Sequence, residues 1–385
     1  MKLTDICDFQ GGSQPPKEEW SNEKQKGYIR MLQIRDFTQS GRVTPEYIKL
    51  SKSTKVCEAD DILIARYGAS VGKILTGLAG AYNVAIMRTI PDTNRIQKKY
   101  LYYYLKSFYF QKAILNVGSR AAQAGFNKED LSKLDIECPN KTKQNEIVRI
   151  LELTESIIEK RYAELESLDN LIKARFVEMF GDPETNPHGY IKAPMGDYMT
   201  LLTDFSSNGS YKTLDSGVTM YDEPNFAWMV RTIDLESGDM TSIKYIDESA
   251  YELLGKSKLF GGEIIMNKIG SAGKVYLMPE ITMPASLGRN AFMFRYDDRV
   301  NVKYLFHLLT SEYGQREIQQ YVRGAVTKTI TKNDARAVLI IVPPIELQNE
   351  YVAFVEQVDK SKVAVQKALD ETQLLFDSLM QKYFG

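Results

Sequence analysis

Residues 144–181, QNEIVRILELTESIIEKRYAELESLDNLIKARFVEMFG, and residues 348–385, QNEYVAFVEQVDKSKVAVQKALDETQLLFDSLMQKYFG, are two versions of one segment. Both open with Gln-Asn-Glu and close with Phe-Gly, and equivalent positions are offset by 204 residues. The preceding sequence matches at the same offset, since residues 100–102 (YLY) correspond to residues 304–306 (YLF). A period of this length is too long for a solenoid repeat. The sequence therefore predicts a duplication in the order domain, helix, domain, helix.

Apolar residues in both versions recur in alternating steps of four and three, which is the spacing of a helix–helix seam. The predicted seam residues are Ile147, Leu151, Ile158, Leu165, Leu168, Ile172 and Met179 in the first version, and Tyr351, Val355, Val358, Val365, Leu369, Phe376 and Leu379 in the second. Neither version contains proline or glycine before its final glycine. A helix of about 40 residues is about 60 Å long. Because a lone helix would expose this seam, we predict that the two helices pack on each other as an antiparallel coiled coil.

The sequence ahead of each helix is typical of a mixed α/β domain. Short apolar runs between turn residues predict strands at 62–65, 84–87, 264–266 and 291–294. Amphipathic spacing predicts single helices over residues 100–115 and 302–321. The expected fold class is thus α+β, with two mixed α/β domains that are each followed by a long helix and are related by pseudo-two-fold symmetry. The predicted boundaries are 1–140 and 182–344 for the domains, and 141–181 and 345–385 for the helices.

Composition restricts the class of protein. The 385 residues are 43% hydrophobic and 26% charged, which is typical of a globular protein, and no apolar run approaches the length of a membrane-spanning helix. The first residues lack the apolar region of a secretory signal, and Cys7, Cys57 and Cys138 are widely spaced, so we expect a cytoplasmic protein. His188 and His307 are isolated from other ligand-type residues, so neither a metal nor a cofactor is expected. The net charge of -1 does not by itself indicate a nucleic-acid-binding protein.

The ordered set of duplicated features resembles the specificity subunits of type I restriction–modification systems. The resemblance covers the whole chain and includes the Gln-Asn-Glu opening of each helix after a proline and the Met-Phe-Gly-Asp at residues 179–182. It also includes the paired segments at 61–73 and 263–274, which run from Asp/Glu-Ile to Gly-Lys.

That resemblance implies that each domain is a target-recognition domain, which reads half of a bipartite double-stranded DNA site through the major groove. The helices would set the spacing between the half-sites. Methyltransferase subunits, expected to be two, would dock on the chain, and a nuclease/translocase subunit would join for restriction. Because the two domains differ much more than the two helices, the half-sites are expected to differ in sequence.

A glycine loop, defined as residues 66–73 (RYGASVGK) and 268–274 (KIGSAGK), occurs in both copies. Its spacing falls short of a phosphate-binding P-loop, and Ile74 replaces the Ser/Thr that would bind magnesium. Small residues flanked by basic ones can approach a DNA backbone closely. The predicted DNA contacts are Arg66, Lys73, Lys268, Ser271 and Lys274. The alternative is a plain hairpin with solvated lysines.

A second loop, here named the basic loop, occupies residues 118–128 and 323–332. Arg, Lys, Gln, Asn and Thr are the residue types that donate to base edges. The predicted contacts are Arg120, Gln123, Asn127, Lys128, Arg323, Thr327, Lys328 and Lys332. Arg289 and Asn290, just ahead of an apolar strand, form a further candidate pair, although asparagine is equally suited to a turn at this position.

Catalysis by this chain is not expected. Residues 342–345 (VPPI) lack the asparagine and aromatic residue of an amino-methyltransferase tetrad, and no glycine fingerprint for S-adenosylmethionine follows a strand. Residues 263–268 are a weak echo of a nuclease motif without its upstream aspartate. The alternatives to a DNA specificity protein are therefore a diverged DNA methyltransferase or nuclease, and a coiled-coil scaffold protein.

The duplication also yields a geometric expectation. If the two helices run antiparallel, the end of the second helix returns to the beginning of the first domain. Gly385 is then expected to lie near Met1.

Overall fold

The structure, a computed structural model, describes residues 1–39, 41–118 and 125–385. It divides into two compact units, and each unit combines one domain with parts of both long helices. The first unit comprises Met1–Glu164 and Val365–Gly385, and the second comprises Leu165–Ala364. Across the described residues, no helix is both long enough and apolar enough to cross a membrane.

The first unit contains two sheets. The four-stranded antiparallel sheet has the spatial order Cys7–Gly11, Ile86–Pro91, Leu63–Ala65, Ile74–Leu75. The five-stranded mixed sheet has the order Trp20–Ser21, Glu46–Lys49, Tyr28–Leu32, Gly80–Tyr82, Val56–Cys57. The helices of this domain are Ile34–Thr38, Lys98–Lys106, Phe108–Gly118 and Lys128–Leu131, with 3-10 turns at Leu3–Asp5, Lys17–Glu19 and Gly68–Ser70.

The second unit repeats this plan with a different periphery. Its antiparallel sheet has the order Met199–Asp204, Ala291–Tyr296, Ile264–Asn267, Val275–Leu277. Its mixed sheet has the order Lys244–Ile246, Ala227–Val230, Ala285–Leu287, Lys258–Leu259. A separate two-stranded sheet pairs Ile191–Pro194 with Leu339–Val342. The helices of this domain are Tyr211–Gly217, Thr232–Ser237, Glu248–Leu253, Val302–Thr310, Glu312–Gln319 and Lys332–Ala337, with 3-10 turns at Met195–Tyr198, Phe205–Asn208 and Gly255–Ser257.

The helices predicted over residues 100–115 and 302–321 are each broken once, which corrects the prediction of single helices. The breaks fall at Ser107 and Ser311, at the 204-residue offset, where the backbone is extended with ψ of 152° and 164°. The Ser311 hydroxyl accepts a hydrogen bond from the Gly314 amide at 3.1 Å, and Ser107 does the same for Phe110 at 3.3 Å. A serine that caps the next helix gives the backbone an alternative to continuing the previous one.

The two long helices span Lys141–Phe180 and Ile345–Phe384, and they run antiparallel. In the second unit, Arg175 pairs with Glu350 at 3.1 Å and Asp169 pairs with Lys362 at 2.6 Å. An earlier residue of the first helix therefore pairs with a later residue of the second, as antiparallel helices require. Every predicted seam residue is buried or half-buried. The α+β fold with long antiparallel helices is therefore confirmed.

An aromatic cluster joins the long helices to the domain in the second unit, and two of its rings, Phe176 and Phe180, lie off the predicted seam. Phe180 is fully buried, with its ring centroid 4.9 Å from Phe176, 4.9 Å from Tyr304 and 5.4 Å from Tyr351. In the first unit Phe384 takes the equivalent place, with its ring 5.1 Å from Tyr100. Burial of one such side chain stabilises the fold by roughly 1.5–3 kcal/mol. Seam residues take part as well, since Tyr351 also contacts Tyr304 and Phe376 contacts Tyr103 in the first unit.

A buried glutamine joins each long helix to its domain. Gln144 is fully buried; its Oε1 accepts from the Gln97 amide at 2.9 Å, and its Nε2 donates to the carbonyls of Arg95 and Pro139 at 2.9 and 2.7 Å. Gln348 is also fully buried and makes the same three bonds, to partners offset by 204 residues, at 2.8, 3.2 and 2.8 Å. These bonds account for the glutamine that opens the repeated Gln-Asn-Glu in both copies.

The two chain ends meet within the first unit. Met1 and Gly385 line the same cavity of about 370 Å³, together with Ile136 and Phe384. The Met1 amino group also donates to the Ile136 carbonyl at 3.3 Å. The ends therefore lie close together, as the antiparallel arrangement predicts.

Candidate nucleic-acid interface

The glycine loop and the basic loop of the second copy are joined by their backbones. The Gly270 amide donates to the Lys328 carbonyl at 2.9 Å, and the Ile330 amide donates to the Lys268 carbonyl at 3.0 Å. Ile269 and Thr329 form an isolated antiparallel bridge between these bonds. Segments almost 60 residues apart in the sequence thus form one surface.

The same two loops meet in the first copy. Tyr67 of the glycine loop bridges to Gly125 of the basic loop, and Arg66 Nε donates to the Phe126 carbonyl at 3.3 Å. A side chain at Gly125 would place its Cβ 2.5 Å from the Tyr67 ring, so only glycine allows this approach. Arg120 and Gln123, predicted to contact DNA, lie outside the described residues.

Both glycine loops are hairpin turns rather than P-loops. Each lies between two strands of an antiparallel sheet, whereas a P-loop leads into a helix. Gly72 and Gly273 have φ of +84° and +87°, a conformation that favours glycine. The amide of Gln111 donates to the Gly72 carbonyl at 2.9 Å, and Gln315 makes the equivalent bond to Gly273 at 3.4 Å. Each turn is thereby held against the broken helix pair of its domain.

Basic side chains of the first copy are only partly compensated by acidic ones. Arg66 is half-buried, its guanidinium lies 5.0 Å from the centre of the Tyr67 ring, and within the described ranges no carboxylate forms an ion pair with it. Lys73 is exposed and likewise has no acidic partner among the residues that the structure describes. Lys128 pairs with Asp8, and this bond holds the pKa of Asp8 below its usual value.

In the second copy the corresponding cations converge on one carboxylate. Asp204 is buried; its Oδ2 accepts from Lys268 at 2.6 Å and its Oδ1 accepts from Lys332 at 2.9 Å and from the Ser207 hydroxyl at 2.6 Å. Burial alone would raise the pKa of Asp204, but hydrogen bonds from Lys268, Ser207 and Lys332 outweigh it and lower the pKa to about 2. The Asp204 carboxylate therefore stays ionised and holds both loops against the end of the strand Met199–Asp204.

The outer cations of the second copy are also paired. Lys274 lies 2.5 Å from Glu236, Arg323 lies 3.0 Å from Asp334, and Arg289 lies 3.4 Å from an Asp215 oxygen. Exposed pairs of this kind contribute little to stability because solvent screens them, so a phosphate can displace the carboxylate at little cost.

Residues of the second-copy glycine and basic loops line part of a shallow cavity with both polar and apolar walls. Ser271, Lys274 and Lys328 line it together with Gln315 and Gln319, and its volume is about 470 Å³. Thr327 is exposed in the same basic loop. These predicted contact residues are thus brought together with two glutamines that the sequence did not single out.

Two predicted contact residues have structural roles in the described backbone. The Asn127 side chain accepts from the Asp130 amide at 3.0 Å and caps the helix that begins at Lys128. Asn290 has φ of +69°, so it forms the turn ahead of its strand. Both positions favour the turn alternative over direct readout of a base.

Asp204, which binds Lys268 and Lys332 in the second-copy site, was not among the residues predicted from the sequence. No local pattern distinguishes it from an ordinary aspartate at a strand end. Its position becomes evident only from the strand pairing in the structure. Asp204 pairs with Phe292, whereas Gly11 pairs with Met87 at the equivalent place in the first copy.

Glu263, the acidic residue at the start of the nuclease-like segment 263–268, has a structural role in the described site. Glu263 is buried and accepts from the Phe260 and Gly261 amides at 2.9 Å, and Arg295 lies 3.0 Å from it, so this carboxylate closes a turn. Among the described residues no group of three or more His, Cys, Asp or Glu side chains is arranged to hold a metal ion.

Comparison with known proteins identifies the family. Residues 1–167 and 198–372 match the type I restriction modification DNA specificity domain. The specificity subunit of the type I restriction enzyme MjaVIII from Methanocaldococcus jannaschii is 20% identical over 394 residues, which cover 96% of this chain and 89% of that protein. A putative type I restriction enzyme specificity subunit, MjaX, from the same organism is 21% identical over 311 residues, which cover 74% of this chain and 68% of that protein.

Solved structures show the same fold. One comes from work on complex assembly and conformational transition of the type I R-M system; it matches with a TM-score of 0.59 and 17% identity, over 100% of this chain and 99% of that chain. The type I restriction–modification S subunit from M. genitalium matches with a TM-score of 0.57 and 15% identity, over 100% and 95%. The chain therefore belongs to the family of type I restriction–modification DNA specificity subunits.

Proposed function

We propose that this chain reads a bipartite, asymmetric double-stranded DNA site, with one half-site for each domain. The observation that carries the proposal is that both copies join a glycine loop to a basic loop, where the two segments are linked by backbone bonds. Arginine and lysine supply phosphate contacts, and the polar side chains beside them are suited to base edges. Residues 1–140 and 182–344 are the proposed recognition domains.

The two half-sites are proposed to differ because the loops differ while the frame is shared. The glutamine junction is the same in both copies, whereas Arg66 is replaced by Lys268 and Gly11 by Asp204. The helical segments 141–181 and 345–385 are proposed to set the half-site spacing.

The chain is proposed to be the non-catalytic subunit of a complex with methyltransferase subunits, two in number, and a nuclease/translocase subunit. The match to the family of specificity subunits supports these partners, and the proposed docking surface comprises exposed apolar side chains on the long helices. They are Leu153, Tyr162, Leu171, Val177, Val363, Leu374 and Leu375. The three cysteines are free, which fits the proposed cytoplasmic location.

A methylation map tests the proposal. The neighbouring methyltransferase gene is expressed in an unmethylated host with and without this chain, and modified bases are located by sequencing. A split motif that appears only with this chain is expected, and it would reveal both half-sites and their spacing. Modification that is unchanged in a complex shown to form would contradict the proposal and favour a scaffold role.

A matched variant links that map to the site. Replacement of the second-copy contacts Lys328 and Ser271 by alanine is expected to change only one half of the motif. Alanine at Lys360 and Ser361, exposed on the C-terminal long helix, is the control and should leave both halves unchanged.

A further inference from the structure

Gly11 and Asp204 occupy the same place in the two copies. Gly11 pairs with Met87 and Asp204 pairs with Phe292, and both partners stand opposite the strand that leads into the glycine loop. Arg66 and Lys268 are likewise equivalent, since each is the first residue of its glycine loop. The copies thus differ by two linked exchanges, glycine to aspartate and arginine to lysine.

The exchange changes which charge is available. In the second copy Asp204 lies 2.6 Å from Lys268 and 2.9 Å from Lys332, and the Lys268 side chain is only 16% exposed. In the first copy a Cβ added at Gly11 would lie 3.0 Å from Arg66 Nη1, so the guanidinium occupies the space beside the missing carboxylate. The place that the Asp204 carboxylate takes in the second copy therefore has no acidic side chain in the first copy.

We propose that Asp204 is a positioning residue for DNA recognition, which holds Lys268 and Lys332 at the base of the second-copy loops and compensates their charge before DNA binds. The first domain, in contrast, presents Arg66 uncompensated to the DNA. This inference rests on the proposed function and adds that the two domains differ in how much of their binding depends on phosphate charge.

The physical reason is counterion release. Each cation that neutralises a phosphate makes the fall of log affinity with log salt steeper by about 0.9. Lysines that are already neutralised by a buried carboxylate release fewer counterions when they contact a phosphate. The same ion pairs hold both loops in place, and a preformed surface loses less conformational entropy on binding. The second domain therefore relies more on shape and hydrogen bonds.

Salt titrations of DNA affinity test the inference. The full-length chain, purified with its methyltransferase subunits, binds a random-sequence DNA duplex, and slopes are compared between variants of the same preparation. Arg66→Gln and Gly11→Asp are each expected to reduce the slope by about 0.9, and Lys268→Gln by less than half of that. Asp204→Asn is expected to steepen the slope by about 0.9, and Asp204→Glu to restore the wild-type value.

The outcomes separate two kinds of failure. Equal reductions for Arg66→Gln and Lys268→Gln, with no change for Asp204→Asn, would overturn this inference alone. A wild-type affinity that does not fall with salt would overturn the proposed function, and this inference with it.

A second measurement does not require DNA binding and therefore serves even if a variant binds DNA poorly. The rate at which each lysine is chemically acetylated is measured by mass spectrometry in the absence of DNA. Lys268 and Lys332 are expected to react more slowly than the exposed Lys328 and Lys73, and Asp204→Asn should remove the difference for the first two. Equal reactivity of all four in the wild-type chain would contradict the role of Asp204.

Discussion

The two domains share a frame and differ at the centre of their contact surfaces. Both use a buried glutamine, a serine-broken helix pair and a glycine turn at equivalent positions. At the base of the loops, however, the first has Arg66 beside Gly11 and the second has Lys268 beside Asp204. A duplicated scaffold can thus keep its backbone hydrogen bonds while the charged residues that face a ligand diverge.

Removal of a buried aromatic ring should have the largest effect and should differ between copies. Phe180→Ala is expected to lower the free energy of unfolding of the second unit by about 3–5 kcal/mol, because three rings surround it. Phe384→Ala should cost the first unit about 3 kcal/mol, at the low end of that range, because Phe384 is 7% exposed. Trp20 and Trp228 lie in different units, so fluorescence of single-tryptophan chains reports each unit separately during denaturation.

Equal losses from Phe180→Ala and Phe384→Ala would show that the aromatic clusters are equivalent despite their different geometry. Leucine at the same positions is the control, since it retains most of the apolar volume and should cost less.

Removal of the junction glutamines should affect both copies alike. Gln144→Ala and Gln348→Ala each leave a backbone amide and two carbonyls without a partner, and each is expected to cost about 1–3 kcal/mol. Denaturant unfolding measures the loss. Thr142→Ala, on the same helix turn but exposed, is the matched control. A large loss in only one copy would contradict the equivalence of the junctions.

Acid should destabilise the second unit through Asp204. Its pKa is lowered from 3.8 to about 2 in the folded chain, so the unfolded chain binds the proton more readily. The stability that this group supplies is complete above pH 3.8 and is lost as the pH falls towards 2. The loss corresponds to about 2 kcal/mol and should be absent from Asp204→Asn. Unfolding followed at Trp228 between these pH values checks it, and an unchanged pH profile for the variant would contradict the ion-pair cluster.

Substitution of Asn290 should have the smallest effect and decides between a turn and a base contact. Asn290→Gly keeps the left-handed backbone and is expected to change stability by less than about 0.5 kcal/mol, whereas Asn290→Ala should cost about 1 kcal/mol. The methylated motif should be the same for both variants. Loss of one half-site in Asn290→Gly, without loss of stability, would instead show that the side chain reads a base.

The periodic features of the fold were predictable from the sequence, and the long-range ones were not. Alternating steps of four and three predicted the seam from Ile147 to Leu379, because helix periodicity is a local signal. The burial of Phe176 and Phe180 depends on the domain face that meets the helix, which no helical period reveals. The break at Ser107 depends on a choice between capping and continuing a helix.

The candidate site was predictable in place but not in its electrostatics. Both loops were identified from small and basic residues, and the structure brings them together. The partners of Lys268 and Lys332 could not be predicted, because Asp204 precedes them by 64 and 128 residues and reaches them only through strand register.

The division of the units within the long helices has a consequence for how the chain is made. The core of the first unit includes Met380 and Phe384, which leave the ribosome after the entire second domain. Until then Tyr100, Tyr104 and Leu151 lack part of their packing, and exposed apolar surface of this kind attracts chaperones or other chains. We therefore expect the domain that is synthesised first to complete its core last.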